Sequence, residues 1–134
     1  MKSSAEIRQA FLDFFADKGH EVVAYNRSPD KTNQLVNEGA TKADSLEDLT
    51  ARLPLPRTVW LMLPAGQVVD SHIDQLKSIL SSNDIVVEGG NSYYKDAIRR
   101  ADALMKNGIR YLDVGVSGGI WGLQIGYCMM IGGD

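Results

Sequence analysis

Three short stretches of this 134-residue chain carry residues whose types and spacing could do chemistry. Asn26, Arg27 and Ser28 join a neutral amide to a cation. A guanidinium there can pair with a phosphate and stack on a base. Gly89, Gly90, Asn91 and Ser92 place two residues without side chains before an amide that both donates and accepts. Backbone can come close to a ligand at such a point. Ser117, Gly118 and Gly119 offer a hydroxyl and unhindered N–H groups, suited to carboxylate or phosphate oxygens. Taken singly, the two glycine stretches read equally well as ordinary turns. Arg27 alone reads as an exposed side chain between a strand and a helix. Glycine makes up 13 of the residues, with the excess after residue 88.

These stretches have to be held by regular elements, and the hydrophobic pattern supplies them. Ser3 and Glu6 have the form of a capping box, and Ile7, Phe11, Phe14 and Phe15 follow at helical spacing up to Gly19. Residues 21–25 form a short β-rich run. Ser28, Pro29 and Asp30 open a helix that ends near Gly39. Asp44 and Ser45 cap another through Leu46, Leu49 and Leu53. The nearly all-apolar run 57–63 fits a strand buried on both faces, broken by Pro64, Ala65 and Gly66. Val69, Ile73, Leu76 and Leu80 predict a helix. Residues 84–87 form a buried strand, and 94–106 a helix through Ile98, Ala101 and Met105. Residues 109–116 and 128–131 complete the strands. Strands that alternate with helices imply βαβ crossovers, a parallel sheet and a doubly wound α/β domain. Ligands of such sheets sit beyond the carboxyl ends of the strands, where the three stretches fall.

In a dinucleotide-binding fold the position of Asn26 reads the adenosine ribose. An acidic residue there would repel a 2′-phosphate. Neutral Asn26 followed by Arg27 therefore favours NADP over NAD. Trp60, Met62, Tyr94 and Trp121 read as core. The Arg99 and Arg100 pair reads as a solvated helix face.

Composition sets limits. Hydrophobic residues are 44% and charged residues 23% of the chain, which is enough for one domain with a core and too little for two. The net charge of −3 argues against a nucleic-acid binder. No apolar run is long enough for a membrane helix, and no signal peptide is evident, so a cytoplasmic protein is expected. The single cysteine, Cys128, allows no intramolecular disulfide and reads as a small buried hydrophobe. His20 and His72 lack partners at metal-ligand spacing, so no metal site is expected.

Residues 19–29 (GHEVVAYNRSP), 59–66 (VWLMLPAG), 84–101 (DIVVEGGNSYYKDAIRRA) and 111–134 (YLDVGVSGGIWGLQIGYCMMIGGD) together resemble the cofactor domain of 6-phosphogluconate dehydrogenase, in its shorter bacterial form. The resemblance implies a Rossmann-like domain. It implies that Asn26, Arg27 and Ser28 meet the 2′-phosphate of NADP, and that Leu63, Pro64 and Ala65 line the cofactor. Asn91 would touch both cofactor and substrate. Ser117, Gly118 and Gly119 would hold 6-phosphogluconate. The family reaction passes a hydride from C3 to NADP, then releases CO2 and leaves ribulose 5-phosphate.

The sequence departs from the family pattern at both ends. The first strand and its GxGxxG loop are not found in residues 1–20. The family's catalytic lysine, its acid/base glutamate and its helical domain lie beyond residue 134. Residues 1–134 thus read as one partial dinucleotide-binding domain with no assigned catalytic residue, inactive alone. In the usual strand order the missing strand lies between its neighbours. Then the strand over 21–25 pairs directly with that over 57–63, or another chain fills the gap, as in a homo-oligomer through the unpaired sheet edge, or the domain is only marginally stable. Two alternatives stand beside this reading. One is a non-catalytic interaction module derived from such a domain. The other is a fragment of another β-hydroxyacid dehydrogenase with a different acid substrate. For the cofactor itself, NAD stands as the alternative to NADP.

Overall fold

The computed structural model describes residues 18–37, 39–118, 121 and 125–133. The helix expected at the start of the chain and Gly119 lie outside the described residues. The chain divides into two compact units, one of residues 1–52 with 119–126, the other of residues 53–118 with 127–134.

In the first unit, β1 (Val23–Ala24) and β2 (Thr41–Lys42) pair in parallel, with Val23 opposite Thr41. Helix α1 (Pro29–Asn37) joins them. Its end is fixed by Gly39, at φ 104°. The Gly39 N–H donates to Val36 O and the Ala40 N–H to Leu35 O, each at 3.0 Å. That is a Schellman closure, which needs a left-handed residue at this point. Helix α2 (Leu46–Arg52) starts as expected, with Ser45 Oγ accepting the Asp48 N–H at 3.0 Å. Strand β2 had no sequence signal, because two residues are too few for alternation to register.

The second unit is a four-stranded sheet in the order β3 (Thr58–Leu61), β4 (Ile85–Glu88), β5 (Arg110–Ser117), β6 (Cys128–Gly133). Helix α3 (Gln67–Ile79) crosses from β3 to β4, and α4 (Tyr94–Met105) from β4 to β5. These three strands are parallel, as the alternation of strand and helix requires. Val69, Ile73 and Leu76 of α3, then Leu80, are buried at the predicted spacing. Val59, Leu61 and Val86 on one face of the sheet, and Val87 and Val114 on the other, are buried as well.

Several expectations are corrected. Strand β6 runs antiparallel to β5, pairing Ser117 with Cys128 and Leu112 with Gly133. Residues 118–127 are too few for the dozen or so that a parallel crossover needs. Strand β3 alternates, with Val59 and Leu61 buried while Thr58 and Trp60 are exposed, so one of its faces is open rather than both being covered. Trp60, Met62, Tyr94 and Trp121 are all exposed rather than core. Cys128 is exposed as well, since it sits on an edge strand with no neighbour on its outer side among the described residues. In α4 the buried stripe is Ala97, Arg100 and Leu104, while Ile98 and Met105 are exposed. The helix is turned by about one residue from the apolar face expected.

Candidate functional site

Leu61, Glu88 and Asp113 lie side by side on one rung of the second unit's sheet. The chain leaves β3 and β4 just beyond that rung, while β5 runs on to Ser117. Loops 62–66 and 89–93 and the turn at Gly118 therefore share the carboxyl edge. That is where the sequence places Leu63, Pro64, Ala65, Asn91, Ser117 and Gly118. Pro64, Ala65 and Ser117 are exposed, and Leu63 and Gly118 are half-buried. Asn26, Arg27 and Ser28 follow β1 in the other unit, all exposed. There Asn26 Oδ1 accepts the Ser28 N–H at 2.8 Å, a local turn that leaves Arg27 at its apex.

The glycines at this edge have different reasons. The Gly89 N–H continues the ladder to Leu61 O at 2.9 Å. A Cβ on Gly90 would collide with the Leu63 carbonyl oxygen and lie 2.6 Å from Glu88 Oε1. Only glycine lets loops 62–66 and 89–93 touch. Gly66, at φ 101°, precedes the 13-residue α3, and no atom lies within 4 Å of where its Cβ would stand. Bare backbone at a helix start is open to a ligand there.

Asn91 adopts φ 57°, which asparagine tolerates better than most residues. Its side chain bridges to β5. Nδ2 donates to Val116 O at 2.9 Å, and the Val116 N–H donates to Oδ1 at 2.8 Å. The amide takes the place of a backbone rung where β4 has already turned away. One N–H and one oxygen lone pair remain for anything else. Beside it, Asn91, Ser92, Asp113, Gly115, Met130, Ile131 and Gly132 line an open cleft of about 340 Å³. Gly115 and Gly132 leave its floor without side chains.

Beneath the loops lies an ionic cluster that sequence reasoning missed. Glu88 and Arg100 are 0% and 1% exposed. Arg100 Nε donates to Asp70 Oδ1 at 2.8 Å and Nη2 to Gly66 O at 3.2 Å. Its Nη1 stands 3.8 Å from Glu88 Oε2, while Glu88 Oε1 accepts the Gly90 N–H at 2.7 Å. Arg99, by contrast, is exposed and pairs with Asp70 and Asp96, as a solvated face would. The hydrogen bond from Arg100 holds the Asp70 carboxyl below its ordinary range. Burial, then the neighbouring Glu88, pushes Asp113 upward. The same two causes push the Tyr111 phenol up to about 12. A strand-end glutamate just before two glycines was the available sequence signal. At the other end of the strands Asp84, fully buried, accepts the N–H groups of Arg57 at 2.7 Å and Ser81 at 2.8 Å.

Parallel strands crossed by helices, with glycine-bearing loops gathered at their carboxyl edge, define an α/β nucleotide-binding domain. The chain belongs to the family of the NAD binding domain of 6-phosphogluconate dehydrogenase, whose pattern matches residues 9–134. It is 43% identical over 122 residues to an NAD(+)-dependent, decarboxylating 6-phosphogluconate dehydrogenase of Haloferax volcanii, covering 91% of this chain and 40% of that one. It is 48% identical over 124 residues to the decarboxylating 6-phosphogluconate dehydrogenase of Aggregatibacter actinomycetemcomitans, covering 88% of this chain and 25% of the relative. The chain therefore spans well under half the length of these relatives. Among solved structures, Plasmodium falciparum 6-phosphogluconate dehydrogenase superposes with a TM-score of 0.82 at 28% identity, over 98% of this chain and 28% of that one. That structure is described with NADP+ and with 6-phosphogluconate. No helix among the described residues is long and apolar enough to cross a membrane.

Proposed function

We propose that this chain forms the dinucleotide-binding part of an enzyme that oxidises and decarboxylates 6-phosphogluconate, and that it prefers NADP to NAD. The observation that carries the reading is the shared carboxyl edge of β3, β4 and β5, where the bare backbone of Gly66 at the start of α3 and the Asn91 amide both stand. Backbone of this kind suits a flat, phosphate-bearing ligand that must come close. The preference for NADP rests on Asn26 and Arg27, where no carboxylate opposes a 2′-phosphate and an exposed guanidinium is available to pair with it.

The dinucleotide supplies the hydride acceptor. The chain's own residues bind and orient. Asn26, Arg27 and Ser28 meet the 2′-phosphate, and Leu63, Pro64 and Ala65 line the cofactor. Asn91 keeps one N–H for cofactor or substrate while its other bonds hold β5. Ser117, Gly118 and Gly119 donate to oxygens of 6-phosphogluconate. No residue of this chain is assigned the general base that takes the C3 hydroxyl proton.

Calorimetric titration of the chain with NADP and with NAD at low salt tests the reading. NADP is expected to bind at least about tenfold more tightly, a difference of about 1.4 kcal/mol. Equal affinity removes Arg27 from its role, and heat from neither dinucleotide overturns the proposal.

A further inference from the structure

The last backbone bond between β3 and β4 is from the Gly89 N–H to Leu61 O. Beyond it, side chains tie loop 62–66 to loop 89–93. The path runs from the Gly66 carbonyl to Arg100 Nη2 at 3.2 Å. It passes from Arg100 Nη1 to Glu88 Oε2 at 3.8 Å, and from Glu88 Oε1 to the Gly90 N–H at 2.7 Å. The third arm of the same guanidinium, Nε, grips Asp70 in the first turn of α3 at 2.8 Å. One side chain thus reaches the loop after β3, the helix that follows it and the strand end that holds the loop after β4.

Stability alone does not account for this arrangement. Two nearly inaccessible charges lose their hydration, and a well-packed apolar pair of equal volume is often as stable or more so. An apolar pair, however, has no direction. A planar fork that hydrogen-bonds Asp70 and Gly66 through Nε and Nη2, and faces the Glu88 carboxylate with Nη1 at 3.8 Å without a hydrogen bond, orients its three partners relative to one another. Lysine, a single point of charge on a flexible stem, cannot engage all three.

We propose that Arg100 is a positioning residue that sets the spacing of the two loops, through Gly66 on one side and Glu88 and Gly90 on the other, so that both meet one dinucleotide. This rests on the dinucleotide reading above. Arg100 itself is buried, so it acts through the loops it holds.

Amide exchange by NMR and NADP titration of the chain test it together, using Arg100→Lys, Asp70→Asn and Arg57→Lys. The last weakens the buried pair with Asp84 at the opposite ends of the strands, so it reports what mere structural damage does. In Arg100→Lys, exchange of the Val69 and Gly90 amides is expected to rise at least about tenfold, and NADP affinity to fall about tenfold. In Arg57→Lys, neither changes beyond what its lower global stability explains. If Arg100→Lys does not fold, Asp70→Asn, at a partly exposed position, is expected to loosen the same two amides to a smaller extent. Equal effects in the Arg57 variant, or loosening at Val69 without Gly90, overturns the proposal. So does loosening of both amides with NADP affinity unchanged. A wild-type chain that binds no dinucleotide removes the functional reading instead, and the exchange pattern still decides whether the tie exists.

Discussion

The side-chain amide of Asn91 closes a two-bond ring on the peptide of Val116, 25 positions away, at 2.8 and 2.9 Å. It does for β5 what the next residue of β4 would do had the strand continued. Asn91→Ala removes both bonds from a largely exposed position and leaves alanine at φ 57°. A loss of about 1–3 kcal/mol is expected from the bonds. Asn91→Gly restores the backbone freedom and not the bonds, so it recovers only part of the loss. Urea denaturation of the three proteins separates the two contributions.

Gly90→Ala pushes a methyl group into the Leu63 carbonyl, which belongs to backbone and has little room to give. Overpacking of this kind costs about 1–3 kcal/mol. The loops part, so dinucleotide affinity is expected to fall along with stability. Gly39→Ala costs stability through its positive φ but acts at the opposite end of α1 from Asn26, Arg27 and Ser28, and affinity is expected to survive it. Paired melting curves and titrations check the contrast.

Asp84 gives the second unit an acid-sensitive point. Burial works to raise its pKa, but the N–H groups of Ser81 and Arg57 and the Arg57 guanidinium outweigh burial and hold it below the ordinary value. A carboxyl whose folded pKa is depressed contributes stability that is present above its unfolded pKa. That stability is lost as the pH falls through the folded pKa. Wild-type stability is therefore expected to decline below about pH 4 more steeply than that of Asp84→Asn, which is less stable at neutral pH. Denaturation midpoints from pH 7 to pH 2.5 show whether the two curves converge.

Asn26→Asp puts a carboxylate where the 2′-phosphate of NADP is proposed to lie. The carboxylate accepts from a ribose 2′-hydroxyl and repels a phosphate. The ratio of NADP to NAD affinity is expected to drop by at least about tenfold. The aspartate still accepts the Ser28 N–H, so the turn at Arg27 is retained and the change reads charge rather than shape. An unchanged ratio would show that this turn does not read the ribose.

Much of the sheet was legible because β4 is mostly buried and β5, with Tyr111 and Val114 buried, is apolar enough to stand out, and the glycine-rich strand ends marked where ligands gather. Strand β2 was not, since only two residues pair. The face of α4 was misread for a definite reason. Ala97, Arg100 and Leu104 have the same spacing as Ile98, Ala101 and Met105, and hydrophobicity favours the second set. What turns the helix is the charge pair with Glu88 and Asp70, which lie 12 and 30 positions away and become neighbours only in the folded chain. The direction of β6 was legible only from the short connection before it.

The ion pairs of this chain also differ in how much water reaches them. Lys42 with Asp44 and Arg52 with Asp48 are open to solvent, whereas Arg57 with Asp84 and Arg100 with Glu88 are enclosed. Dissolved ions screen the first group and scarcely reach the second. Brine should therefore weaken the electrostatics around β2 and α2 while leaving the clamps at both ends of β3 and β4 intact. The framework that spaces the loops is built to be indifferent to ionic strength, even though the proposed capture of a phosphate by Arg27 is not.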